Sequence, residues 1–115
     1  MLGIIGAMDV EVASIKAKVK DAVETEIAGI VFVCGTIENV MVTVAQCSPA
    51  KVNASLCTQI MIDRFKPDAI INVGVGCSLS SDVIIKNVVI ASDVCEYDID
   101  ITALGEPRGF INGLN

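Results

Sequence analysis

Apolar and polar residues alternate along this chain in blocks that predict short strands and two helices. Four runs rich in branched aliphatic residues have the length and borders of strands in a buried sheet, at residues 2–8, 29–35, 39–46 and 69–73. The last run begins after a Pro-Asp pair and ends in Gly-x-Gly. We therefore expect it to be a strand buried on both faces, with residues 74–78 on the floor of any pocket.

Two longer segments carry apolar residues at helical spacing. The first follows Asp9, which is suited to cap a helix, and is predicted to continue to about Lys20. The second is predicted over residues 50–65 and ends before Pro67. The residues expected on the buried faces are Val12, Ile15 and Val19 in the first helix, and Val52, Leu56 and Ile60, with Cys57 and Met61 beside them, in the second.

The order of these segments predicts the fold class. The short link at 36–39 predicts an antiparallel hairpin between the second and third strands. A weaker strand is predicted at 24–28 and a long one at 87–98, and the glycines and the single proline after Asp100 indicate a loop. The order strand–helix–hairpin–helix–strand–strand predicts an α/β fold in which a mixed central β-sheet is flanked by helices.

Composition and charge narrow the possible partners. Apolar residues make up 53% of the 115 residues and few are aromatic, so we expect an aliphatic core in one domain or part of one. The net charge of −6 argues against nucleic acid and anionic membranes as partners. No apolar run approaches the roughly 20 residues of a membrane span, and no signal peptide precedes the first strand. We therefore expect a cytoplasmic protein with no nucleic-acid or membrane partner.

The sequence gives little support for a metal site or a disulfide. The chain has no His, which excludes His-based catalysis and His-containing metal sites. Its five cysteines include no Cys-x-x-Cys pair, so we expect reduced, buried thiols. Glu96, Asp98 and Asp100 would share one face of a strand, where a solvated edge is favoured over a weak oxygen site for a hard cation. No metal is expected.

Glu11 is the candidate for catalysis. It lies one turn into the first predicted helix, just past a strand end and at the rim of the expected ligand crevice. A carboxylate there can act as a general base on a water molecule. Spacing alone favours the simpler interpretation that Glu11 caps or solvates the start of the helix.

Two motifs that could bind phosphate groups are incomplete. Residues 74–76, Gly-Val-Gly, form half of a dinucleotide fingerprint, but Leu79 occupies the position of the third glycine and a poor helix start follows. The predicted helix start at 48–51 is a potential anion site, but it lacks the arginine of a phosphate clamp. A dinucleotide cofactor and strong phosphate binding are therefore disfavoured, and no cofactor is expected.

Four segments together resemble one enzyme family, the 5′-methylthioadenosine/S-adenosylhomocysteine nucleosidases. They are residues 4–12 with Gly-Ala-Met and following acidic residues, 51–54 at the start of the long helix, 66–74 at the central strand, and 98–105, which is similar to the family's Asp-x-Asp-x-Thr-Ala-Phe-Gly. The resemblance implies a nucleoside phosphorylase-like fold and hydrolysis of the adenine–ribose bond of methylthioadenosine or S-adenosylhomocysteine. It also implies a purine nucleoside as small-molecule partner, a homodimer, and a place in purine and methionine salvage.

The resemblance assigns roles to individual residues. Glu11 matches the water-activating glutamate, and Ala7 matches a residue beside the water and the ribose. The remaining substrate-binding positions that the resemblance implies are Pro49 in the family's Gly-Ile-Gly-Lys loop, Val75, Gly76 and Cys77 in its Gly-Ser-Ala-Gly-Gly turn, and Leu104, where the family has a Phe that reaches into the partner subunit's pocket. Val75 replaces a serine, so its side chain cannot form a hydrogen bond.

The resemblance also implies that residues 1–115 form a single partial nucleoside phosphorylase-like domain, truncated after its first half. The family's purine-binding aspartate and ribose-binding Met-Glu pair follow in a second half, so we expect weak or no activity from these residues alone. The alternative is a non-catalytic truncated relative that acts as a nucleoside-binding or assembly module. A nucleoside phosphorylase is disfavoured because no arginine lies in the anion loop.

Overall fold

A computed structural model describes residues 1–110 of the chain. Its residues group into two compact units, one from Met1 to Cys77 and one from Ser78 onward. The regular elements of the first unit are β1 (Leu2–Gly6), α1 (Asp9–Lys16), β2 (Lys20–Ile27), β3 (Ile30–Ile37), β4 (Val40–Gln46), α2 (Lys51–Phe65) and β5 (Ala69–Asn72). Within residues 1–110, neither helix has the length and apolar content needed to cross a membrane.

The five strands form one mixed sheet in the order β2-β3-β4-β1-β5, which confirms the predicted fold class. Strands β2, β3 and β4 pair antiparallel, and β1 pairs parallel with both β4 and β5. The predicted hairpin is β3–β4, joined by Glu38 and Asn39. Both residues have positive φ, 48° and 68°, as the two central residues of a tight hairpin turn require.

The three parallel strands define the edge of the sheet where a site can form. Gly6 at the end of β1 lies opposite Gln46 at the end of β4, and Ile5 lies opposite Asn72 at the end of β5. Their carboxyl ends therefore meet at one edge, and the loops that follow all begin there. In open α/β sheets this is the edge at which ligands bind.

The core has two parts because neighbouring residues of β1 point to opposite faces of the sheet. Ile5 packs in a cluster with Cys57 and Met61 of α2, whereas Ile4 packs in a cluster with Val12 of α1. Each helix therefore covers a different face of the sheet. This layer order holds the start of α1 beside the carboxyl edge of β1.

Helix α1 is shorter than predicted. It ends at Lys16 rather than near Lys20, because Lys20 already pairs with Thr36 as the first residue of β2. Val19 still packs against the same cluster as Val12, but from the turn after the helix. The apolar spacing identified a core residue correctly and assigned it to the wrong element.

The buried face of α2 also differs from the prediction. Val52 and Leu56 are 79% and 48% exposed, whereas Cys57 and Met61 are fully buried. Residues 57 and 61 are one turn apart and face the sheet. Ile60 is partly buried and packs against the same cluster. The helix itself, predicted over 50–65, is observed at Lys51–Phe65.

Strand β5 is an edge strand and is not buried on both faces as predicted. Among residues 1–110 it pairs only with β1, and three of its four residues, Ala69, Ile71 and Asn72, are exposed. An apolar run of this kind fits an interior strand equally well, so the sequence pattern could not reveal its place in the sheet.

The second unit contains one regular element within its described residues, a 3-10 helix at Thr102–Leu104. The long strand predicted at 87–98 is wrong, since none of those residues is in a strand. A strand needs a hydrogen-bonded neighbour for stability, and this segment pairs with none among residues 1–110. Its apolar residues are exposed instead, including Val88 and Ile90, each 92% exposed.

Candidate active site

Glu11 lies in the first turn of α1, at the carboxyl edge of the parallel strands. Its Oε2 accepts a hydrogen bond from the Met8 N–H at 2.8 Å, and its Oε1 accepts one from the Val75 N–H at 3.1 Å. Met8, rather than the predicted Asp9, is the residue that caps the helix, and the Glu11 carboxylate reaches back to it. The same carboxylate therefore caps α1 and joins the loop after β1 to the loop after β5.

These hydrogen bonds control the charge of Glu11. The Met8 N–H, and then the Val75 N–H, hold the pKa of the carboxyl group below its ordinary value, although partial burial acts in the opposite direction. The positive end of the α1 dipole also favours a negative charge at this position. Glu11 is therefore ionised at neutral pH and can accept a further hydrogen bond from water.

Cys47 follows β4 and is close enough to this carboxylate to be affected by its charge. Its backbone N–H donates to the Gly6 carbonyl oxygen at 2.9 Å, which extends the pairing of β4 and β1 by one residue. Burial raises the pKa of the Cys47 thiol, and the negative charge of Glu11 adds to this effect. Cys47 therefore remains a neutral thiol and is buried in the cluster that contains Ile5.

Five of the six predicted substrate-binding residues lie in loops that follow the three parallel strands. Ala7 follows β1 and packs against the buried cluster that contains Ile5. Pro49 follows β4, and its carbonyl oxygen accepts a 2.6 Å hydrogen bond from Asn53 Nδ2. Val75, Gly76 and Cys77 follow β5 and are exposed. The structure thus brings these loops to the same edge as Glu11.

Leu104, the sixth predicted substrate-binding residue, belongs to the second unit. It ends the 3-10 helix there and is 81% exposed. Its role in a pocket stays a prediction.

The acidic group at 96–100 does not share the face of a strand. Asp100 instead accepts hydrogen bonds from the Thr102 N–H and hydroxyl at 3.1 and 2.7 Å, and pairs with Arg108 Nη2 at 2.6 Å. The Thr102 hydrogen bonds, together with Arg108, lower the pKa of Asp100. Within residues 1–110 no cluster of three or more acidic or sulfur side chains is arranged to hold a metal ion.

The cysteines are unpaired as expected, but not all of them are buried. Cys47 and Cys57 are buried, whereas Cys77 and Cys95 are exposed. Cys77 lies in the loop after β5 and Cys95 in the irregular second unit, where no sheet covers them.

Sequence reasoning missed the two backbone N–H groups that hold Glu11. The signal for Met8 was available, because a Glu three residues after a helix cap reaches back to the cap N–H. The signal for Val75 was weaker. It required knowing that β5 lies directly beside β1, so that the glycine-bearing loop passes over the start of α1.

Comparisons with known proteins agree with this fold. Residues 1–113 match the family model of the phosphorylase superfamily. A 5′-methylthioadenosine/S-adenosylhomocysteine nucleosidase of Shewanella piezotolerans is 41% identical over 108 residues, which cover 94% of this chain and 47% of that protein. The chain thus spans about half the length of the curated relatives it matches.

Two solved structures show the same fold. The nucleosidase of Colwellia psychrerythraea in complex with adenine superposes with a TM-score of 0.94 and 39% identity, covering 96% of this chain and 46% of that one. The futalosine hydrolase of Helicobacter pylori superposes with a TM-score of 0.89 and 32% identity, covering 97% and 48%. The chain therefore belongs to the phosphorylase superfamily, in which its relatives are the 5′-methylthioadenosine/S-adenosylhomocysteine nucleosidases.

Proposed function

We propose that residues 1–115 are part of one nucleoside phosphorylase-like domain that hydrolyses the adenine–ribose bond of methylthioadenosine or S-adenosylhomocysteine. The observation that carries the proposal is the ionised Glu11 carboxylate, held by the Met8 and Val75 N–H groups at the carboxyl edge of three parallel strands. The relatives in sequence and structure, which are methylthioadenosine/S-adenosylhomocysteine nucleosidases, support this substrate class.

In this mechanism Glu11 accepts a proton from the water that attacks the anomeric carbon. A carboxylate with a lowered pKa is a weak base, and a weak base is sufficient if the sugar is already oxocarbenium-like when water attacks. The remaining free lone pairs of the Glu11 oxygens would orient that water. The Val75 N–H would keep the carboxylate in place, although the Val75 side chain itself offers no hydrogen bond.

The loop residues form the walls of the proposed nucleoside site. Ala7, Pro49 and residues 75–77 would surround the sugar on the strand-end side. Leu104 would reach the pocket of the partner subunit in a homodimer. We place the reaction in the cytoplasm, because all five cysteines are unpaired, as is usual for thiols in a reducing compartment.

We expect residues 1–115 alone to be slow. The family resemblance assigns protonation of the leaving adenine to an aspartate in a segment that has no counterpart among these residues. Loss of a general acid costs about 10²–10⁴-fold in rate. The hydrolysis would then depend mainly on Glu11.

Adenine release from methylthioadenosine tests this function. We expect the wild-type chain to release adenine slowly and Glu11→Gln to be slower still, by about 10²-fold or more. Asp9→Asn is the matched control, because it removes the same charge from the same helical turn without touching the Val75 loop. Equal rates for the wild type and Glu11→Gln would remove Glu11 from the mechanism.

The alternative is a non-catalytic module that binds nucleosides or assembles with another polypeptide. It is favoured by the open edge of β5, where Ile71 is 47% exposed, and by Val52 and Leu56 on the outer face of α2. An exposed, apolar edge strand is a ready site for pairing. Light scattering of the purified chain, with calorimetric titration of adenine and methylthioadenosine, tests this alternative. A monomer that binds nucleoside tightly and releases adenine would contradict it.

A further inference from the structure

The absence of a side chain at Gly74 makes room for the Glu11 carboxylate. A Cβ atom built at position 74 would lie 2.9 Å from Glu11 Oε1, 3.4 Å from Cδ and 3.7 Å from Oε2. These three atoms are its nearest neighbours outside the adjacent residues, and Cβ atoms essentially never approach another atom within 3.0 Å. Any side chain at position 74 would therefore displace the carboxylate.

The requirement for glycine at this position is steric and not conformational. Among residues 1–110 the glycines with positive φ are Gly29, Gly105 and Gly109, so Gly74 does not lie in the left-handed region that favours glycine. What an alanine would meet is the end of a flexible side chain, which can move aside at low cost. The expected consequence is a misplaced carboxylate in a folded protein.

We propose that Gly74 is a positioning residue for Glu11, because its missing side chain lets Oε1 reach the Val75 N–H. The effect of Gly74 on catalysis rests on the proposed function. Its effect on the position of Glu11 does not, since that contact requires no substrate. With both N–H groups bound, the carboxylate is fixed at two points, Oε2 on Met8 and Oε1 on Val75. Without the hydrogen bond from Val75, the carboxylate would be free to rotate about the one from Met8.

The same hydrogen bond helps to set the charge of the site. The Val75 N–H is the second contributor to the lowered pKa of Glu11, after Met8. A side chain at position 74 is thus expected to raise that pKa towards its ordinary value while the helix cap at Met8 persists.

A pH titration followed by ¹H–¹⁵N spectra of the backbone amides tests the proposal without substrate. In the wild type the amide protons of Met8 and Val75 should shift together as Glu11 is protonated, because both donate to that carboxylate. In Gly74→Ala the Val75 shift should disappear and the Met8 shift should persist, at a higher midpoint. Gly76→Ala is the matched control, since a Cβ atom there meets nothing within 4 Å and should leave both titrations unchanged.

A Val75 amide that titrates in Gly74→Ala as it does in the wild type would overturn the proposal. A second experiment applies even if Gly74→Ala is less stable than the wild type. Urea unfolding measures the stability lost through Gly74→Ala in the wild-type chain and in a chain that already carries Glu11→Ala. Steric conflict with Glu11 predicts a smaller loss of stability in the second background, and equal losses would overturn the proposal. If the chain shows these titrations but wild type and Glu11→Gln release adenine at equal rates, the proposed function of Glu11 fails and the role of Gly74 stands.

Discussion

The two oxygens of Glu11 are held by different parts of the backbone. One is bound at the start of α1 and the other in the loop after β5, so a single ionised side chain couples the helix to the end of the neighbouring strand. Helix capping and water activation were competing interpretations of this residue. They are compatible, because each carboxylate oxygen has more than one lone pair.

The lowered pKa of Glu11 makes its stabilising effect depend on pH. Hydrogen bonds to the ionised form stabilise the fold above the ordinary glutamate pKa of 4.5, and this stabilisation disappears as the pH falls through the lower pKa of the folded state. Glu11→Gln should therefore lower the urea midpoint at pH 7, and its gap from the wild type should narrow in acid. A gap of the same size at pH 7 and at acid pH would contradict this explanation.

The cysteines should react according to their burial. Cys77 and Cys95 are exposed, whereas burial, together with the nearby Cys47, raises the pKa of the Cys57 thiol to about 11. Because the thiolate is the reactive form, a thiol reagent applied to the native protein should modify Cys77 and Cys95 first, with Cys57 modified only on unfolding. Peptide mapping after brief labelling measures the order. Early modification of Cys57 would place it outside the core.

At the scale of elements, sequence periodicity predicted helices and strands better than it predicted their buried faces. Strand β1 and the hairpin of β3 and β4 followed directly from apolar runs and a short link. The face of α2 did not, because apolar residues surround much of this helix and only the sheet determines which of them is covered. The strand predicted at 87–98 failed because strand pairing is a tertiary property.

Helix α2 offers a direct comparison between its two apolar faces. Met61 is fully buried and Val52 is 79% exposed on the same helix. Met61→Ala should reduce the free energy of unfolding by about 2–5 kcal/mol, whereas Val52→Ala should change it by no more than about 0.5 kcal/mol. Urea unfolding measures both. A larger loss for Val52→Ala than for Met61→Ala would mean that the predicted stripe, and not the observed one, faces the core.

At the scale of the whole molecule, the phosphorylase-superfamily match covers both units, although only the first contains a sheet within residues 1–110. The candidate site residues of the first unit lie just after strand ends, and the sequence marks those ends by Gly6 at the end of β1, by glycines after β5 and by Pro49 after β4. Their convergence depended on the parallel pairing of β1 with β4 and β5, which no local pattern encodes. The resemblance of four ordered segments supplied what local patterns could not, since it implied the complete arrangement of the family.

A nucleoside site built around Glu11 is tested most directly by titrating the wild-type chain with methylthioadenosine while following the backbone amide signals of Met8 and Val75. Saturable shifts are expected at both residues, since the nucleoside would bind beside the carboxylate that they hold. Shifts confined to other parts of the chain, or no saturable shift at all, would contradict such a site.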